Sequence, residues 1–84
     1  MTDVQYKELV EHNIRNCELA INEGERINKG THVHNINVIL HKLKPRVEVL
    51  RGKEPFAVAM EDLREVTELA QQLSWDLWLH SKGR

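Results

Sequence analysis

Apolar residues return at steps of three and four along almost the whole of this sequence, and two short interruptions, Gly30-Thr31 and Gly52-Lys53-Glu54-Pro55, cut the pattern into three stretches. That spacing repeats on one side of a 3.6-residue helix, so each stretch is an amphipathic helix whose apolar stripe must be covered by a neighbour. Arg46-Val47-Glu48-Val49 alternates as a strand would, but no second strand is available to pair with it. The chain is therefore restricted to an all-α fold.

The first stretch opens on Thr2 with Gln5 three residues on, the form of a capping box. Its stripe runs Tyr6, Val10, Ile14, Cys17, Ile21 and Ile27, with Gly24 inside it. A glycine there costs about 1 kcal/mol relative to alanine, which predicts close approach by another helix. Gly30 is expected to stop the helix in a left-handed conformation. Thr31 then caps a second helix with the stripe Val33, Ile36, Leu40, Leu43, Val47 and Leu50. Pro45 lies within it and removes a backbone donor, so this helix is expected to be kinked or broken near Lys42 to Lys44. The stripe stays in phase across the proline, which favours a kinked helix over a broken one. Pro55 suits the first position of a third helix, whose stripe reads Phe56, Ala59, Leu63, Val66, Ala70, Leu73 and Leu77.

Short connections between long helices make neighbours antiparallel. The expectation is one domain over residues 1–84, an up-down-up three-helix bundle with helices at about 3–29, 32–51 and 55–79 and a frayed tail at 80–84. A chain of 84 residues buries only roughly 60 % of the surface exposed on unfolding, so dimerisation is an expectation too.

The formal net charge of -1 gives no global attraction to nucleic acid or an anionic membrane. Cys17 is the single cysteine, which excludes an intrachain disulfide and fits a reducing, cytoplasmic setting. The start of the chain has no basic segment leading into an apolar one, and no run approaches the roughly 18 apolar residues of a membrane span. These features predict a soluble, unprocessed protein.

Residues able to do chemistry are few and badly spaced for it. His32 and His34 point to different sides of a helix, while His34 and His41 share a side but stand roughly 10 Å apart, too far for one zinc ion. Glu61, Asp62 and Glu65 resemble part of the acidic helix by which all-helical nucleotide pyrophosphohydrolases hold magnesium, yet such a site needs a second acidic pair on a facing helix, and Glu61, Glu65 and Glu68 lie about 140° to 200° round from Leu63, so a solvated face explains them. Arg26 and His32 bracket five residues, as in the ribonuclease motif of some helical toxins, but the interval crosses a predicted helix end. No serine has a defensible base, and Cys17 lies on the buried stripe, where a thiol is inert. The sequence thus predicts no catalytic residues, no cofactor and no metal.

Charge and aromatic placement say more. The middle stretch carries five bases, Lys42, Lys44, Arg46, Arg51 and Lys53, against one acid, and the flanking stretches are acidic. These bases fall on both edges of the apolar stripe, where a bundle sets them against the acidic helices rather than on one nucleic-acid-binding face. Near the end of the third stretch the solvent side turns apolar: Trp75 lies about 120° and Leu79 about 160° round from Leu63, with Trp78 about 60° away. In the expected bundle this end adjoins the turn that contains His34. Leu19, Val38 and Val49 also fall outside their stripes. Exposed tryptophan is a favoured interface anchor. The resulting expectation is a non-catalytic interaction module, such as an adaptor, chaperone or inhibitor, that engages another protein or itself through Trp75, Trp78, Leu79 and His34. The alternative is a nucleic-acid-associated protein that uses the basic second helix.

Overall fold

A computed structural model describes residues 2–82. It contains three α-helices, α1 (Asp3–Gly30), α2 (His34–Arg51) and α3 (Met60–Lys82), each in contact with the other two in an antiparallel bundle. The molecule is 45 Å long, and α1, at roughly 1.5 Å per residue, runs nearly its full length. No described helix is long and apolar enough to cross a membrane.

The start of α1 follows directly from its first residues. The Thr2 hydroxyl accepts from the Gln5 amide at 3.2 Å, and the Gln5 side chain accepts from the Thr2 amide at 2.9 Å. Two otherwise orphaned donors are satisfied reciprocally. The helix then continues unbroken through Gly24, which is buried because α2 needs the room: a Cβ there would stand 3.2 Å from Leu40 Cδ2 and 3.4 Å from Ile36 Cγ2.

Both expected signals at the first turn are corrected. No glycine has a positive φ among the described residues; Gly30 is the last helical residue, and extended Thr31 closes the helix by donating its amide to the Ile27 carbonyl. The second helix begins after Val33, not after Thr31, and Val33 supplies no side-chain cap. Asn28 compensates from the end of α1, where its Oδ1 accepts from the Val33 amide at 3.1 Å. A side chain of the preceding helix thus takes over part of the work of a cap.

α2 is one uninterrupted helix across Pro45, which settles the choice between a broken and a continuous helix. Pro45 lies on the exposed side, while Leu43 and Val47 are buried on either side of it in sequence. Water can therefore solvate the carbonyl that loses its donor, and the stripe keeps its phase.

The third helix starts later than the sequence implies. Pro55–Ala57 forms a separate 3-10 turn, and α3 begins at Met60. Phe56 is 59 % exposed and Ala59 is also exposed, whereas Val58 is buried to 2 %. The Tyr6 hydroxyl donates to the Val58 carbonyl. This contact ties the segment to α1 and turns Val58, not Phe56, into the core. At the other end α3 persists to Lys82, past the expected limit at Leu79, so residues 80–82 are helical, not frayed; the rest of the expected tail lies outside the described residues.

Between these ends the stripes meet as their spacing predicts. Val10, Ile14, Cys17 and Ile21 from α1, Ile36, Leu40, Leu43, Val47 and Leu50 from α2, and Leu63, Val66, Ala70 and Leu73 from α3 form one buried cluster. Tyr6, Ile27, Val33 and Leu77 pack against it half-buried. Each fully buried aliphatic side chain contributes about 1.5–3 kcal/mol relative to exposure.

Candidate functional site

The seam between α1 and α3 does not close over its whole length. It leaves an open groove of about 830 Å³, with Asn13, Asn16 and Ala20 on the α1 wall and Gln71, Ser74, Trp75 and Trp78 on the α3 wall. Leu19 also lines it and is 60 % exposed. Cys17, Thr67 and Ala70 form its floor, where the Cys17 thiol donates to the Val66 carbonyl at 3.6 Å and the Thr67 hydroxyl to the Leu63 carbonyl at 2.8 Å. The polar atoms of the floor are thus already occupied within the bundle. Burial, helped by the neighbouring Glu18 charge, pushes the Cys17 thiol up to about 11, so this sulfur is a poor nucleophile and a poor ligand.

Trp75 and Trp78 stand one helical turn apart on α3 and stack with ring centroids 5.1 Å apart and planes inclined by 21°. The Lys82 ammonium sits 5.5 Å from the Trp78 ring centroid, one turn further on. Stacking and the cation both favour this arrangement of the rings, yet about half of each side chain remains open, 54 % for Trp75 and 49 % for Trp78. Leu79, 44 % exposed, adds to the patch one turn after Trp75 but does not line the groove. His34 is exposed at the first turn of α2 and is not among the groove's lining side chains. The structure therefore joins Trp75 and Trp78 to Leu19 across the groove and leaves His34 apart from them.

Of the five bases of the middle stretch, Lys53 lies just beyond α2, and three of the four on α2 are engaged by acids of the neighbouring helices. Lys44 meets Glu25 at 2.7 Å and Arg51 meets Glu18 at 3.0 Å, both on α1, while Arg46 meets Glu65 of α3 at 2.5 Å. The Glu25 carboxylate, through its hydrogen bond and its charge, holds the Lys44 ammonium above its ordinary range. Lys42 and Lys53 are exposed and enter no ion pair among the described residues. The basic side chains thus point to two different seams.

No three His, Cys, Asp or Glu side chains converge as a metal-ligand group among the described residues. Glu61 and Asp62 are exposed, and Glu65 is held by Arg46. One acid departs from the solvated pattern: Asp76 is only 9 % exposed, with Gln72 Nε2 3.4 Å from its Oδ1. Its place three residues after Leu73 marks it as inward-facing, a signal carried by spacing although masked by its charge. The uncharged groove walls went unrecognised in the sequence, although the interruption of charged helix surfaces by Asn13, Asn16, Gln71 and Ser74 was legible as spacing. Which two helices would bring them together was not.

No protein-family model matches this sequence, and comparison with curated proteins and with solved structures finds no significant match to either.

Proposed function

We propose that this protein is a non-catalytic helical interaction module, of the adaptor, chaperone or inhibitor kind, that docks on a protein partner through Trp75, Trp78 and Leu79. The observation that carries the reading is the stacked, half-open tryptophan pair at the rim of the α1–α3 groove. Two large apolar side chains stack on each other in water instead of collapsing onto the core, and to the extent that stacking favours this arrangement the ordering cost on binding is reduced. Leu19 and Leu79 widen the apolar centre, and the neutral polar walls suit the rim of a protein interface. A reducing cytoplasmic setting accords with the single, buried cysteine.

Nucleic-acid binding through α2 is the less favoured reading, because Lys44, Arg46 and Arg51 are directed to two seams and paired there. The double variant Trp75→Ala Leu79→Ala separates the readings. Its helicity should match the wild type and its stability should fall by no more than about 1 kcal/mol, the usual range for exposed sites, while association with protein is lost. Tight, salt-sensitive binding of RNA or DNA that this variant leaves unchanged would reverse the assignment.

A further inference from the structure

We propose that the partner seated on the Trp75–Trp78 face is a second copy of this chain, packed antiparallel along α3 about a two-fold axis at Trp75. The proposal rests on the docking reading above and specifies its occupant. Arg64, Glu68, Gln71, Trp75, Trp78 and Lys82 succeed one another at steps of four and three, and all six are exposed. They form a second heptad stripe on α3, on the side away from the buried Leu63, Val66, Ala70 and Leu73. The bundle covers one stripe of this helix and leaves the other open.

The order of residues along the open stripe selects both the partner and its direction. Glu68 lies seven residues before Trp75 and Lys82 seven residues after it. A two-fold axis at Trp75 exchanges these positions, so Lys82 of each copy meets Glu68 of the other, roughly 10 Å to either side of the axis. The tryptophans then lie at the centre, between two ion pairs. A parallel arrangement brings Lys82 to Lys82 and Glu68 to Glu68, which is repulsive. The stripe is thus self-complementary in the antiparallel sense alone. Glu68 and Lys82 enter no ion pair among the described residues, although Glu18, Glu25 and Glu65 all do.

Area agrees with charge. A stable interface removes about 800 Å² from each partner, and a little over half of that is nonpolar. Two half-open tryptophans and two half-open leucines present some 400 Å², close to that nonpolar share. Leu19 flanks the stripe on the α1 side and Leu79 on the other, so an incoming α3 would be covered on both flanks.

Sedimentation equilibrium of the full chain tests the proposal, with circular dichroism to verify that each variant keeps its helices. The wild type should dimerise, and Trp75→Ala should leave a monomer. Glu68→Lys and Lys82→Glu should each weaken the dimer by at least about tenfold, since each places like charges together at both ends of the interface. The double variant Glu68→Lys Lys82→Glu should restore association to near the wild-type strength. A wild type that remains monomeric, or a dimer indifferent to the single reversals, overturns the proposal. A monomeric wild type that still captures a different protein through Trp75 and Leu79 overturns the second copy and leaves the docking reading standing. A chain that neither self-associates nor loses any protein contact in Trp75→Ala Leu79→Ala ends both.

Discussion

α1 makes two seams, and they are sealed by different means. Against α2 it is pressed close at Gly24, where Leu40 and Ile36 fill the space of a missing side chain, and Lys44–Glu25 and Arg51–Glu18 bridge the outer edge. Against α3 it is joined at the floor by Cys17, and Tyr6 holds the Val58 carbonyl just before α3 begins, but no ion pair crosses the seam among the described residues, and Leu19, Trp75 and Trp78 stand open at its rim. Surface ion pairs add little energy, yet they occupy the outer edge and keep other molecules from it. A helix pair without them, lined with amides and aromatic rings, keeps its outer edge available. The contrast between the seams supports the proposed docking face more than either seam does alone.

The largest effect should be common to both seams. Leu40→Ala on the α2 side and Leu73→Ala on the α3 side should each destabilise the fold by about 2–5 kcal/mol in chemical denaturation, and a clear inequality would mean that one seam carries the core. Gly24→Val should follow, at about 1–3 kcal/mol, because a Cβ already meets Leu40 Cδ2 at 3.2 Å and two further methyl groups have nowhere to go. Gly24→Ala should be milder, since the gain in helix propensity of about 1 kcal/mol offsets the crowding.

Alkaline pH probes the floor of the second seam. The Cys17 thiol is raised from 9.0 to about 11 by burial, so the unfolded chain releases this proton more readily than the folded one. The associated stability is complete below pH 9 and is lost as pH rises toward 11. The denaturation midpoint should decline over that interval, and less steeply in Cys17→Ala. An equal decline in that variant would show that the thiol is not sealed under the groove. The smallest effect is expected at Ala20, which faces the groove. Ala20→Leu should change stability by no more than about 0.5 kcal/mol at concentrations too low for association. A loss as large as that of Gly24→Val would abolish the distinction between the seams.

The helical stripes were legible because each depends on local spacing: Val10 to Ile21, Ile36 to Leu50 and Leu63 to Leu73 are buried where a 3.6-residue period puts them. Thr2 and Gln5 were legible for the same reason, since a capping box spans a single turn. Errors arose where distant groups decide. Phe56 and Val58 exchange roles because Tyr6, at the other end of the sequence, captures the Val58 carbonyl. Thr31 closes α1 instead of capping α2, and the Val33 amide at the start of α2 is taken by Asn28 of the preceding helix. The tryptophan patch was visible as a departure from period, but the part of Leu19 in it depends on which face of α1 packs beside α3, and periodicity alone does not fix the rotation of one helix against another.

The Tyr6–Val58 contact also has a consequence in time. It joins residues 52 positions apart, so it closes a loop that contains all of α2 and both turns. Loop closure costs more entropy as the loop lengthens, whereas α1 and α2 can meet across a turn of only a few residues. Folding is therefore expected to begin with the α1–α2 hairpin and to finish when α3 docks and the tyrosine latches. Unfolding reverses the order, and α3, which carries the exposed tryptophans, is the first helix to leave.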